Sequence, residues 1–124
     1  MQPIEIKVHK KTSELELVYL DNKAFKLSFE FLRVHSPSAE VRGHGKGNEV
    51  LQHSKRNVQL INIEPAGNYA LKLVFDDGHD SGLYDWDYLY QMCQQFDDMW
   101  SAYLNKLEKA GLSRDNNFIN IMKN

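Results

Sequence analysis

Two stretches concentrate the residue types that can do chemistry. LRVHSPSAEVRGHGKG, residues 32–47, and DDGHDSGLYDWDYL, residues 76–89, together hold three of the five histidines, two arginines and a cluster of aspartates. His35, His44 and His79, with Asp77 and Asp80 as oxygen donors, form a candidate set for iron or another divalent ion, because neutral imidazole and carboxylate suit such metals. Their spacing contains neither the two-histidine helical pair nor a cysteine pair, so no compact metal motif is met. Arg33, Arg42 and Lys46, with the hydroxyls of Ser36 and Ser38, form a second candidate set, suited to an anion or an acidic partner. Gly43, Gly45 and Gly47 would let backbone approach such an anion. No strand enters and no capped helix leaves that segment, so the phosphate-loop and dinucleotide fingerprints are both unmet. Ser36, Ser38 and Ser81 could serve as nucleophiles with His35 or His79 as base, yet no nucleophile elbow surrounds them. The expectation is therefore a protein without catalysis of its own.

Charge is divided along the chain. Between Arg33 and Arg56 five arginines and lysines face two glutamates; between Asp76 and Glu108 seven aspartates and one glutamate face a single lysine. The simplest arrangement packs the basic loop beside the acidic turn, with Arg33 or Arg42 paired to Asp77, Asp80 or Asp85.

The elements that must position these residues read from periodicity. Ile4, Ile6 and Val8 alternate with polar residues, as do Leu15, Leu17 and Tyr19, which predicts an antiparallel hairpin whose first strand has one buried face. Asp21-Asn22 turns the chain into a third strand over residues 24–27, and Ser28 caps a short helical segment. Residues 35–49 show no period and read as a long loop. Strands resume over residues 58–63, break at Pro65-Ala66-Gly67-Asn68, and return over residues 69–75. Asp77-Gly78 is a two-residue turn leading back through Leu83 and Tyr84. Asp85 then caps one long amphipathic helix with Trp86, Leu89, Cys93, Phe96, Trp100, Tyr103 and Leu107 on its stripe, widened by Leu104, ending near Gly111. The fold class is α+β: antiparallel hairpins forming a twisted sheet or two small sheets, with the long helix packed on a face. Residues 1–111 make a single domain, and residues 112–124, with Phe118, Ile119 and Ile121, make a polar tail expected to fray.

Composition bounds the rest. A chain of 124 residues with 42% hydrophobic and 26% charged residues can bury a core without staples. A net charge of −2 gives no field to attract nucleic acid. The lone Cys93 and the absence of a leader or spanning run point to a reducing cytoplasm and no membrane. The protein is expected to be a monomer or weak dimer.

The segment LRVHSPSAEVRGHG followed by NIEPAGNYALKLVFDDGHDSGLYDWDYL resembles the gamma-butyrobetaine hydroxylase-like N-terminal domain family, over roughly residues 4–107. The resemblance implies a small β-rich α+β domain that stands alone in bacteria. It also implies fused forms, joined to P-loop iron–sulfur cluster carriers or placed ahead of 2-oxoglutarate- and iron-dependent oxygenases of carnitine metabolism. In those oxygenases the domain holds structural zinc through a Cys-Pro-Cys-x-x-Cys segment and a later histidine. These positions fall here on Ser36, Ser38, Val41 and His79, so the zinc site is expected to be lost, and the oxygenase's catalytic domain has no counterpart. The expected function is a small binding or adaptor domain, with no tightly bound cofactor, that partners an iron–sulfur or oxygenase-type protein. The alternative is a metal-binding protein using His35, His44, His79 and the nearby aspartates.

Overall fold

The computed structural model describes residues 1–43 and 46–116. Two three-stranded antiparallel sheets form, each with its strands side by side in chain order. In the first, β1 (Glu5–His9), β2 (Glu14–Val18) and β3 (Ala24–Ser28) are joined by tight turns, and Asp21 and Asn22 both adopt positive φ as their short polar side chains allow. Ile6 opposes Leu17 and Val8 opposes Leu15, so the apolar sets share one face. Leu15 and Leu17 on the central strand are fully buried, while Ile4 and Val8 stay largely exposed. The period-2 reading of the first strand thus holds for its structure and fails for its burial. An edge strand projects past the core that its neighbour seals.

Ser28 Oγ accepts from the Phe31 N–H at 3.0 Å and starts α1 (Phe29–Val34), all six residues of which are buried. The segment expected to be a featureless loop contains one further turn of helix, α2 (Ala39–Arg42). It was invisible to periodicity because four residues cannot display a period.

In the second sheet, β4 (Leu60–Ala66) runs through Pro65, where the sequence suggested a break. β4 is an edge strand, so the amide that proline lacks is not needed by a neighbour. β5 (Ala70–Phe75) buries Leu71, Leu73 and Phe75, and β6 (Leu83–Asp85) buries Tyr84. The intervening turn is closed by the His79 carbonyl accepting from Phe75 N–H at 2.9 Å, with Gly78 at φ +88°.

Asp85 caps the C-terminal helical region as expected, accepting from Tyr88 N–H at 2.8 Å, and Gly111 closes it in the left-handed conformation. The region is two helices rather than one: α3 (Trp86–Gln94) and α4 (Phe96–Ala110), separated at Gln95, whose φ of −110° and ψ of 18° leave the helical range. The break splits the stripe between two tasks. Leu89, Met92 and Cys93 join the main core beneath both sheets, whereas Tyr103 and Leu107 close a smaller cluster with Val34. Leu104, placed on the stripe by its spacing, is exposed.

Residues 112–116, the start of the tail expected to fray, are held against the body. Arg114 grips Glu30 through two hydrogen bonds of 2.9 and 2.6 Å and lies over the Trp100 ring. Phe118, Ile119 and Ile121 lie outside the described residues. Among the described residues, no helix is long and apolar enough to cross a membrane.

Candidate functional site

The end of α1, the Ser36-Pro37-Ser38 link, α2 and the turn after β5 meet at one corner. Ser36 Oγ lies 2.7 Å and Ser38 Oγ 3.4 Å from His79 Nε2, and all three residues are buried. Glu40, the second residue of α2, sets a carboxylate oxygen 3.7 Å from His79 Nδ1 while accepting from the Ser81 hydroxyl at 2.8 Å. This close approach needs Gly82, because a β-carbon there would collide with Ser36 Oγ. Burial lowers the His79 pKa from its ordinary value, and the Arg33 and Lys55 charges act the same way, against Glu40 and Asp77. The imidazole is therefore neutral at neutral pH.

Beside this cluster Arg33 Nε donates to Asp77 Oδ2 at 2.9 Å, and Lys55 reaches the same oxygen at 2.6 Å. Burial alone would raise the Asp77 pKa, but Lys55, the His79 N–H and Arg33 together bring it down to about 2. The charge division seen in the sequence is thus resolved by Arg33 and Asp77. Among the described residues Arg42 joins no carboxylate; its guanidinium sits 4.9 Å above the Tyr88 ring. Asp85 is occupied as a helix cap.

Three tyrosines tie the corner to the later elements. Tyr84 donates to the Leu32 carbonyl and Tyr88 to the His35 carbonyl, both at 2.6 Å, and Tyr103 donates to the Gln52 carbonyl at 3.0 Å. The first two satisfy carbonyls at the C-terminal end of α1 that have no helical partner.

A groove of about 550 Å³ opens between α1, α2, residues 49–52 and the C-terminal helices, with Val34, Val41, Leu51, Met99 and Tyr103 among its walls. His35 lines it. Its Nδ1 lies 2.9 Å from the Phe31 carbonyl, which can only accept, so Nδ1 carries the proton and Nε2 presents a lone pair. Burial lowers the His35 pKa, outweighing the Phe31 hydrogen bond that raises it, and the Lys106 charge adds to the lowering, so the ring is neutral at neutral pH. Arg42, Lys106 and Glu49 complete the lining.

Comparison with known proteins follows the same outline. The family model described as gamma-butyrobetaine hydroxylase-like, N-terminal, matches residues 6–90. The chain belongs to this family. Two protein structures solved by NMR in solution are similar over nearly the whole chain. One is 56% identical, with a TM-score of 0.81, covering 92% of this chain and 90% of that one. The other is 49% identical, with a TM-score of 0.78, covering 91% and 84%. A crystal structure of a protein of unknown function in the DUF971 family, from Acidithiobacillus ferrooxidans, is 31% identical with a TM-score of 0.61, covering 73% of this chain and 91% of that one. No curated protein matches.

Within this gamma-butyrobetaine hydroxylase-like domain, the predicted site residues separate into distinct settings. Ser36, Ser38 and His79 come together; Arg33 and Asp77 pair beside them; His35 and Arg42 line the groove. Lys46 and Asp80 are exposed, and His44 lies outside the described residues. The histidines and aspartates are not gathered into one shell. His35 Nδ1 is bonded to Phe31, His79 Nε2 to Ser36, and Asp77 to two cations. Among the described residues, no three His, Cys, Asp or Glu side chains are placed to hold a metal ion. The positions matching the family's zinc ligands supply two neutral hydroxyls, a hydrocarbon and one imidazole, a donor set that does not fit zinc, which takes thiolate, imidazole or carboxylate.

Sequence reasoning missed Glu40, Gly82, Tyr88 and Lys106. Glu40 looked like one acid among many, and Gly82 carries no turn signature. The four-residue spacing of Tyr84 and Tyr88 was a usable signal, since both hydroxyls fall on the end of α1.

Proposed function

We propose that this domain is a non-catalytic binding module of the cytoplasm that works beside an iron–sulfur or 2-oxoglutarate/iron oxygenase-type protein. One observation supports the reading: the corner's polar side chains are satisfied by one another, while the neighbouring groove keeps Arg42 and Lys106 at its surface with no carboxylate paired to either among the described residues. Groups so arranged hold a shape and leave a surface for a partner, and the Ser36 hydroxyl, although it meets His79 Nε2, is buried away from any substrate. The recognised partner is a protein with an acidic contact patch, since the domain's own net charge offers nucleic acid little.

Calorimetric titration of the purified domain against a purified P-loop iron–sulfur carrier and a purified 2-oxoglutarate oxygenase tests this. A complex with either one, weakened about tenfold or more by Arg42→Glu as expected for reversing an interface charge, is the predicted outcome. No complex with either class overturns it. Metal quantification on natively purified protein runs alongside; stoichiometric iron that disappears in His79→Ala would replace the adaptor reading with a metal-binding one.

A further inference from the structure

We propose that the groove between α1, α2, residues 49–52 and α4 is a binding site for a small hydroxylated monocarboxylic acid with an apolar chain. This goes beyond the adaptor reading, since it concerns a small molecule; it shares Arg42 and Lys106 with that reading and adds His35 and the apolar walls.

The groove's volume of about 550 Å³ falls within the range of about 300–1,000 Å³ usual for small-ligand sites. Val34, Val41, Leu51 and Met99 give it apolar walls that favour an alkyl chain over water. His35 lines the groove with them, and its Nε2 is an acceptor with no hydrogen-bond partner among the described residues. The ring cannot turn to find a partner without breaking the Nδ1 bond to Phe31 and leaving its place between Phe31 and Tyr103, 4.6 and 6.0 Å away centre to centre. An acceptor so fixed calls for a ligand hydroxyl or amide N–H.

The cations supply the second requirement. Arg42 is held on the Tyr88 ring, and Lys106, one turn before the end of α4, is exposed and lines the same groove as His35. Glu49 lines the same groove, its carboxylate accepting from Gly47 N–H at 2.7 Å. Two cations and one acid in a single lining suit a single negative charge and disfavour a di- or tricarboxylate. A hydroxyl for His35, a carboxylate for the cations and a chain for the walls together describe a hydroxylated monocarboxylic acid, of which a 2-hydroxy acid is a compact probe.

The test is a titration followed by ¹H–¹⁵N NMR with 2-hydroxyhexanoate, hexanoate and hexan-1-ol. 2-Hydroxyhexanoate is expected to bind about threefold or more tighter than hexanoate, the worth of one neutral hydrogen bond, with shifts at Val34, Leu51, Met99 and Tyr103. Hexan-1-ol, lacking the charge, is expected to bind weakest. Lys106→Gln, at an exposed position that leaves the fold intact, is expected to weaken both acids about fivefold and leave the alcohol unchanged. His35→Phe is expected to abolish the preference for the hydroxy acid while hexanoate still binds. Equal binding of all three probes, shifts away from the groove, or acid binding indifferent to Lys106→Gln would each overturn the proposal. Neither result depends on Arg42→Glu or on a protein partner, so the two proposals can fail separately.

Discussion

At the scale of single residues, one buried imidazole, His79, and one half-buried imidazole, His35, set how the domain responds to acid. His35 and His79 both have pKa values below the ordinary histidine value, burial being the main cause in each. The charged and titratable groups facing His79 are Arg33, Lys55, Glu40 and Asp77; Lys106 faces His35. Because the folded values are lowered, the unfolded chain binds protons first as pH falls below about 6.5. Stability is therefore full above that pH and declines below it, toward the folded values. Asp77 contributes in the same direction but only at far lower pH, between its ordinary value and about 2. Urea unfolding midpoints are expected to fall between pH 7.5 and pH 5, and His35→Phe is expected to reduce that fall. A midpoint flat across this range would contradict the neutral state assigned to the two rings. Gly82 carries a second expectation at this scale. Gly82→Ala pushes a methyl into Ser36 Oγ and is expected to destabilise the domain by about 1–3 kcal/mol, the usual cost of overpacking, measured by denaturant titration. Of these residues, Ser36, Ser38, His79, Arg33 and Asp77 were legible as chemistry-bearing types. Gly82 and Glu40 were not, because their roles exist only once residue 36 lies across β6 and α2 beside the turn.

At the scale of elements, the extension after Gly111 is part of the domain's structure. Glu30 is almost wholly buried, and its charge is met by the Arg114 guanidinium. A chain ending at Gly111 leaves that carboxylate unpaired and is expected to lose about 3 kcal/mol, the scale for breaking a buried ion pair. Thermal unfolding of the truncated chain checks this, and Glu30→Gln introduced into it is expected to recover part of the loss by removing the unpaired charge. A truncation with unchanged melting temperature would show that the contact adds nothing. Helix boundaries at Asp85 and Gly111 were legible because capping is chemistry of adjacent residues. The break at Gln95 was not, since neither proline nor glycine marks it. It follows from packing: α3 serves the core beneath both sheets, while α4 brings Phe96 and Trp100 against Phe31, at 4.7 and 6.3 Å. A single straight axis would have to serve both contacts.

At the scale of the whole molecule, one core joins the two sheets. Leu15, Leu17 and Leu27 of the first pack in the same cluster as Leu71, Leu73 and Tyr84 of the second, with Phe29, Phe31 and Leu32 of α1 and Leu89 and Met92 of α3. A shared core predicts cooperative unfolding. Tryptophan fluorescence, which reports on Trp86 and Trp100, and far-ultraviolet circular dichroism, which reports on the backbone, are expected to give coincident denaturant transitions. Separated midpoints would mean that the sheets unfold independently.

The sequence by itself determined the strands, the tight turns, the capped ends of the helical region and the family, because alternation, turn chemistry and capping act between residues a few positions apart. Tertiary structure alone decided which distant residues meet. Ser36 reaches His79 across 43 positions and Arg33 reaches Asp77 across 44. No local rule sets those distances; they follow from burying every residue of α1 in the core, which carries the Ser36-Pro37-Ser38 link onto the turn after β5. The same burial leaves His35 lining an open groove, with one nitrogen bonded to the backbone and the other without a hydrogen-bond partner among the described residues.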